Sequence, residues 1–332
     1  MRPATTLPRF VFALLAAIVC ISPARAQENI LYKVDELPGG DLSYRTLFYI
    51  EFDSEVAPTI IMEAGFGLTA ETLRRRIGGA PGWGKLLKER GYNAWMLNNV
   101  GVGRSETPRD RDLDQLFKFG SFGNFQVGYA NDGSLAILHG QAAGLGLRSA
   151  SYGERYSDMF VLIDPIGPQG SQPFLPYEPA KRRAQREDPN HIWQKWGFGP
   201  ERGTIREGLD LSAAAAESLA AAYDPTQPPQ WAGMLTHVDS PFEVREPLYL
   251  EGRDVLVIRT PAADDTQIER EKSLVKWMRE RGMNVETMDL SDDPETEGVS
   301  ALPWAGEKAP YVLERILSWY ENLDGAKTPV GR

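Results

Sequence analysis

Residues 135–144 read Leu-Ala-Ile-Leu-His-Gly-Gln-Ala-Ala-Gly, an apolar run followed at once by small and helix-forming residues. The run 135–138 predicts a buried strand and residues 141–150 predict a helix, with Gly140 in the turn between them. The same alternation continues along the chain, with strands predicted at 59–62, 94–97, 159–163, 255–258 and 285–290, and helices at 82–90, 266–281 and 307–323. Apolar strands that alternate with helices predict an α/β fold, with a mostly parallel, doubly wound sheet covered on both faces.

Three regions depart from this alternation. Residues 30–35 and 42–52 alternate as strands around the turn cluster 38–41, which predicts an N-terminal antiparallel hairpin. Between residues 164 and 254 the chain is rich in proline, tryptophan and charge, and we expect a helical cap inserted at about 166–252. A second insertion, 106–131, carries four phenylalanines among glycines, which fits either an apolar pocket lining or a packed surface loop.

Composition limits the classes of partner. The 332 residues carry a net charge of −10, which argues against a general attraction to nucleic acid or anionic membranes. A single cysteine excludes a disulfide framework. The three histidines lack the spacing of a metal site, so we expect neither a metal nor another cofactor, and a small-molecule ligand is the expected partner.

The N-terminus has the features of a secretory signal peptide. Arg2 and Arg9 both precede an apolar run at 10–21. A small-x-small site at 24–26 predicts cleavage before Gln27. The apolar run is shorter than the roughly 20 residues that span a bilayer, so no stable membrane anchor is expected after removal of the signal. We therefore expect a secreted, periplasmic protein with one domain at 27–332.

Three further motifs resemble those of one enzyme superfamily. Residues 63–67 read Glu-Ala-Gly-Phe-Gly after a strand, 89–92 read Glu-Arg-Gly-Tyr, and 101–105 read Gly-Val-Gly-Arg-Ser. Their order resembles the α/β-hydrolase superfamily, and residues 76–83 resemble a branch of secreted bacterial serine esterases. The resemblance covers nearly the whole mature chain and implies the α/β-hydrolase fold.

The catalytic triad that the resemblance implies is incomplete in this chain. Its serine nucleophile sits in a tight strand-to-helix turn, where this sequence has Gly140 or, in another register, Gln141. The position of the histidine base falls on Ala301, and no histidine follows His237. The acid corresponds to Asp164, whose role in a triad is to orient an imidazole.

The resemblance also implies an oxyanion hole. Main-chain N–H groups of Gln141 and of the loop that holds Gly65 and Phe66 are expected to bind a carbonyl or carboxylate oxygen. Glu63 stands where relatives usually have histidine. It is either an acid or base that acts with Asp164, or a structural carboxylate neutralised by an arginine or by loop amides.

His139, one residue before the vacant nucleophile position, is either a packed core residue or part of the site. The leading hypothesis for the whole chain is a binding or accessory protein for a small, largely apolar carbonyl or carboxylate compound, without serine hydrolysis. A lyase, isomerase or cyclase that uses Glu63 or Asp164 is the second hypothesis. A carboxylic-ester hydrolase with a rebuilt site is the third.

Overall fold

The computed structural model describes the sheet and the helices that cover it. The described residues are 30–36, 43–64, 70–74, 76–77, 79–98, 134–150, 157–165, 249–261, 263, 265–297, 299 and 302–329. The predicted signal peptide, the phenylalanine-rich insertion and the predicted cap up to residue 248 lie outside them.

Eight strands and five α-helices make up the described fold. The strands are β1 (Ile30–Glu36), β2 (Ser43–Glu51), β3 (Thr59–Glu63), β4 (Asn93–Leu97), β5 (Leu135–His139), β6 (Met159–Ile163), β7 (Asp254–Arg259) and β8 (Asn284–Asp289). The helices are α1 (Ala70–Arg74), α2 (Trp83–Glu89), α3 (Gln141–Ala150), α4 (Asp265–Arg279) and α5 (Ala309–Glu321). Two short 3-10 turns, Leu290–Asp292 and Pro294–Thr296, follow β8.

The strands form one sheet in the order β1-β2-β4-β3-β5-β6-β7-β8. β2 runs antiparallel to β1 and β4, and all other neighbouring pairs are parallel. This confirms the predicted hairpin and the mostly parallel sheet. β3 lies between β4 and β5, so the chain leaves β3 in one direction and later returns to its other side.

Each face of the sheet carries its own apolar core. One core joins the inward side chains of α1, α2 and α5 to the sheet, with Trp83 and Trp304 fully buried in it. The other core lies under α3 and α4. Alternate residues of the central strands contact opposite cores, as in Ile60 and Ile61. The predicted two-sided coverage therefore holds at the centre of the sheet.

The last strand departs from the expected apolar pattern. β8 reads Asn-Val-Glu-Thr-Met-Asp and none of its residues is fully buried. It lies at the edge of the sheet, where only one neighbour covers it. Charged and polar residues suit such an edge because they discourage pairing with another chain.

A glycine allows α1 and α2 to meet closely. A Cβ atom at Gly82 would lie 2.5 Å from the main-chain carbonyl carbon and oxygen of Arg74, at the end of α1. Trp83 follows directly, and its Nε1 donates a 2.8 Å hydrogen bond to the carbonyl oxygen of Ala309 in α5. The glycine thus permits the approach that sets the direction of α2.

Among the residues that the structure describes, no helix combines the length and the apolar character needed to cross a bilayer.

We expect Gly82→Ala to destabilise the protein by about 1–3 kcal/mol, because its Cβ overlaps backbone atoms that cannot move aside easily. Gly84→Ala is the matched control. Its Cβ would approach the Sδ atom of Met96, which can shift, and alanine favours the helix by about 1 kcal/mol. Urea unfolding of both variants measures the difference. Equal stability of the two variants would contradict this account.

Candidate functional site

The carboxyl edge of the sheet is the place where the strand order reverses. The connection after β3 runs to β4 on one side, whereas the connection after β5 runs to β6 on the other side. Open parallel sheets bind ligands in the crevice outside the carboxyl ends at such a point. We use the name carboxyl edge for the ends of β3, β5, β6 and β7 and the residues that follow them. Glu63, His139, Gly140, Asp164 and Thr260 all lie there.

Gly140 forms the tight turn between β5 and α3. Its φ is +56°, in the left-handed region that glycine adopts readily. The main-chain N–H of Gly140 donates a 2.8 Å hydrogen bond to the carbonyl oxygen of Ile163, and Gln141 is already the first residue of α3. The turn therefore presents the backbone at position 140 at the carboxyl edge, with no side chain on it.

Asp164 lies beside that turn in an unusual conformation. It follows β6 with a φ of +43°, the only positive φ of a non-glycine residue in the described part of the chain. Its N–H donates to the carbonyl oxygen of Ile258 at 2.9 Å, which fixes it between β5 and β7. A strained backbone at the end of a central strand is a feature of functional sites.

Both carboxylate oxygens of Asp164 accept hydrogen bonds from Thr260. The main-chain N–H of Thr260 donates to Oδ1 at 2.9 Å, and its Oγ1 donates to Oδ2 at 2.5 Å. Only 6% of Asp164 is exposed. Burial raises the pKa of Asp164 to about 6, although the two hydrogen bonds from Thr260 lower it.

His139 contacts the core on the side of α2 and α5. Its ring meets that of Trp304 edge to face, with centroids 4.9 Å apart and planes at 87°. Trp304 in turn packs against Trp83 at 6.0 Å. Burial lowers the pKa of His139 to about 4, so the imidazole is neutral at pH 7.

Glu63 also lies at the carboxyl edge, on the face of the sheet opposite to the ring of His139. It is level with Leu97 and Leu138, which both belong to the core under α3 and α4, and only 3% of it is exposed. β5 separates it from Asp164, and strand spacing puts their Cα atoms roughly 12 Å apart. The structure brings both carboxyl groups to one edge, but Asp164 hydrogen-bonds Thr260 rather than Glu63.

Three of the residues singled out from the sequence, Gly65, Phe66 and Ala301, lie outside the described residues, as does the side chain of Gln141. In the described part of the chain, no three acidic, histidine or cysteine side chains group closely enough to hold a metal ion.

Sequence analysis missed two residues of this edge. Thr260, which holds Asp164, follows β7 directly, and a polar residue just past an apolar strand is the signal that indicates it. Asn98 similarly follows β4, is buried, and accepts a 2.7 Å hydrogen bond from the N–H of Ala70. Asn98 thereby fixes the start of α1, where the loop after Glu63 ends.

Comparison with known proteins identifies the fold. No family model and no curated protein matches the chain. Solved structures similar to it include a probable hydrolytic enzyme from Pseudomonas aeruginosa, at 16% identity over 89% of this chain and 94% of that chain, with a TM-score of 0.53. An epoxide hydrolase from an endophytic Streptomyces has 14% identity over 89% of this chain and 96% of its own, with a TM-score of 0.58. A thermophilic esterase from Thermogutta terrifontis has 11% identity over 88% of this chain and 98% of its own, with a TM-score of 0.55. At these identities the likeness concerns the fold, and the chain has the α/β-hydrolase fold.

The raised pKa of Asp164 predicts a pH-dependent stability. The folded-state pKa of about 6 exceeds the ordinary value of 3.8, so folding favours the protonated carboxyl. The resulting stabilisation is fully present below about pH 4 and is lost as the pH rises through about 6. Relative to Asp164→Asn, the free energy of unfolding of the wild type should fall by about 2 kcal/mol between pH 4 and pH 7.

Urea unfolding at a series of pH values measures this difference. Asp158→Asn is the control, because Asp158 precedes the same strand at its opposite end and its side chain is 45% exposed. We expect Asp158→Asn to follow the wild-type pH dependence. Parallel pH profiles of the wild type and Asp164→Asn would contradict the raised pKa.

Proposed function

We propose that this α/β-hydrolase-fold chain binds a small, largely apolar carbonyl or carboxylate compound at the carboxyl edge without hydrolysing it through a serine. The observation that carries the proposal is Gly140, whose φ of +56° and place between β5 and α3 match the turn that holds the nucleophile in serine hydrolases. A glycine there supplies no hydroxyl to attack a carbonyl carbon.

The missing base supports the same conclusion. In the hydrolase arrangement the base follows the last strand, and no histidine occurs after residue 237 of this sequence. His139 does not replace it, because its ring packs against Trp304 and stays neutral down to about pH 4. Without both groups, only the much smaller catalysis by the oxyanion hole and by binding remains.

The binding role rests on what the turn retains. Gln141 begins the ten-residue helix α3, so its main-chain N–H is one of the first N–H groups, which have no partner within the helix. Together with an N–H from the loop after Glu63, it would bind a carbonyl oxygen without reacting with it. The ligand would lie between the sheet and the predicted cap.

A second candidate is an acid-base enzyme of another class, such as a lyase, isomerase or cyclase. One observation favours it: Asp164 combines a strained backbone with a pKa raised to about 6, close to the range of general acids and bases. Glu63→Gln and Asp164→Asn distinguish the two candidates. Turnover of a co-purifying compound that both variants abolish would favour the enzyme, whereas retained binding would favour the binding protein.

Export is part of the proposal. The charged, apolar and small-x-small segments at the N-terminus support cleavage before Gln27 and a periplasmic location. After expression in a bacterial host, we expect the intact mass of the periplasmic protein to equal that of residues 27–332. A cytoplasmic protein that retains residues 1–26 would contradict this part.

The main test is hydrolysis. We expect the mature wild type to turn over p-nitrophenyl acetate no faster than a heat-denatured control, and to resist labelling by a fluorophosphonate, because neither nucleophile nor base is present. Mass spectrometry of the purified protein should detect a co-purifying small molecule. Ester turnover with labelling would instead favour a rebuilt hydrolase site, the third hypothesis.

Restoring the two groups tests the assignment of the positions. We expect Gly140→Ser combined with Ala301→His to raise ester hydrolysis about tenfold or more above either single variant, because serine and histidine act as a unit. Gly325→Ser with Ala301→His is the control, since Gly325 also has a positive φ, +83°, and lies after α5. Equal activity of the two double variants would contradict the assignment.

A further inference from the structure

Asp164 keeps its carboxylate at the site although the group it would orient is missing. In a triad this carboxylate accepts a hydrogen bond from the imidazole of the base. Each oxygen of Asp164 accepts one bond from Thr260, and a carboxylate oxygen has capacity for a second. A charged group that is almost fully buried is costly unless further donors stabilise it.

We propose that the ligand itself supplies this donor: the site selects a carbonyl compound with an ammonium or hydroxyl group close to the carbonyl, which hydrogen-bonds Asp164. The inference rests on the proposed function and adds the chemical class of the ligand. Asp164 is then the specificity-determining residue of the binding site.

The main chains at the two binding positions are neighbours in the sheet. The hydrogen bond from Gly140 to Ile163 joins the ends of β5 and β6, so positions 140 and 164 are neighbours across one strand spacing of roughly 5 Å. A ligand bound at the N–H of Gln141 therefore lies beside the end of β6, where Asp164 follows. A β-amino or β-hydroxy carbonyl compound offers a carbonyl and a donor in one short ligand.

The charges around Asp164 disfavour an anionic ligand. Arg259 of β7 is a cation that acts electrostatically on Asp164, but it is held by Glu271 of α4 and Asp289 of β8, each at 2.7 Å. Of these groups, Glu271 raises the pKa of Asp164 and Arg259 lowers it. The carboxylates of Asp164, Glu271 and Asp289 therefore all interact electrostatically with one guanidinium, that of Arg259.

Among the described residues that end the neighbouring strands, His139 and Glu63 add no positive charge at pH 7. His139 at the end of β5 is neutral, because burial lowers its pKa to about 4. Glu63 at the end of β3 is acidic. A carboxylate ligand would thus meet like charge, whereas an ammonium or hydroxyl donor would complement it.

The pH dependence of affinity separates these classes. A donor ligand binds best to ionised Asp164, so its affinity should rise as the pH rises through about 6. A carboxylate ligand binds best when Asp164 is protonated, and its affinity should fall over the same range.

Four probes of similar size test the proposal by isothermal titration calorimetry with the mature full-length protein at pH 5 and pH 7.5. They are methyl 3-aminooctanoate, methyl 3-hydroxyoctanoate, methyl octanoate and octanoate. At pH 7.5 we expect the amino ester to bind at least tenfold more tightly than methyl octanoate, the hydroxy ester to be intermediate, and octanoate to be weakest.

Two variants assign the selectivity to its residue. Asp164→Asn keeps the size of the side chain and should reduce the difference between the amino ester and methyl octanoate to less than twofold. Asp158→Asn removes one charge at the opposite end of the same strand and should leave the tenfold difference unchanged. Circular dichroism verifies that both variants are folded.

The outcomes distinguish this inference from the function on which it rests. If methyl octanoate and the amino ester bind with equal affinity, or if octanoate binds more tightly than both, the ligand class is overturned. Either result would still leave a protein that binds a carbonyl or carboxylate compound. A preference for the amino ester that survives in Asp164→Asn would overturn the role of Asp164. Absence of binding by all four probes, in a folded protein that is free of co-purified ligand, would contradict both proposals.

Discussion

The turn at Gly140 is the constraint on which the other features of the carboxyl edge depend. A left-handed residue there lets β5 pass into α3 without an intervening loop, and the hydrogen bond to Ile163 ties the turn to β6. The start of α3 and the strained Asp164 are consequently held side by side. Glycine meets the backbone requirement of the turn at little conformational cost, and it places no side chain at this position.

The fold was predictable because its signals are local. The strands at 135–138 and 159–163 are unbroken apolar runs, and the helix predicted at 141–150 is observed as Gln141–Ala150. The five-residue helix α1 was missed, because it is too short to show a helical periodicity and begins where the buried side chain of Asn98 binds Ala70. The polar edge strand β8 was located correctly, but its exposure depends on its place in the sheet order, which no local pattern reveals.

The site was predictable only in part, since its contacts join distant segments. The identity of Asp164 and the glycine at position 140 could be inferred from a resemblance and from the strand-to-helix pattern. The bond from Thr260 to Asp164 spans 96 residues, and the contact of His139 with Trp304 joins β5 to the segment before α5. Such pairings depend on how the strands are ordered. The shifted pKa values of Asp164 and His139 follow from burial, which is likewise a property of the assembled fold.

The contacts between α2 and α5 also bear on the order in which the chain acquires its structure. Trp83 bonds to Ala309, and Tyr92 donates to Glu321 at 2.7 Å, over separations of 226 and 229 residues. During synthesis from the N-terminus, one whole core must therefore wait for the last helix to leave the ribosome. Long-range contacts of this kind slow folding and prolong the exposure of apolar surface. The apolar side chains of this core thus remain exposed in the nascent chain until α5 has emerged.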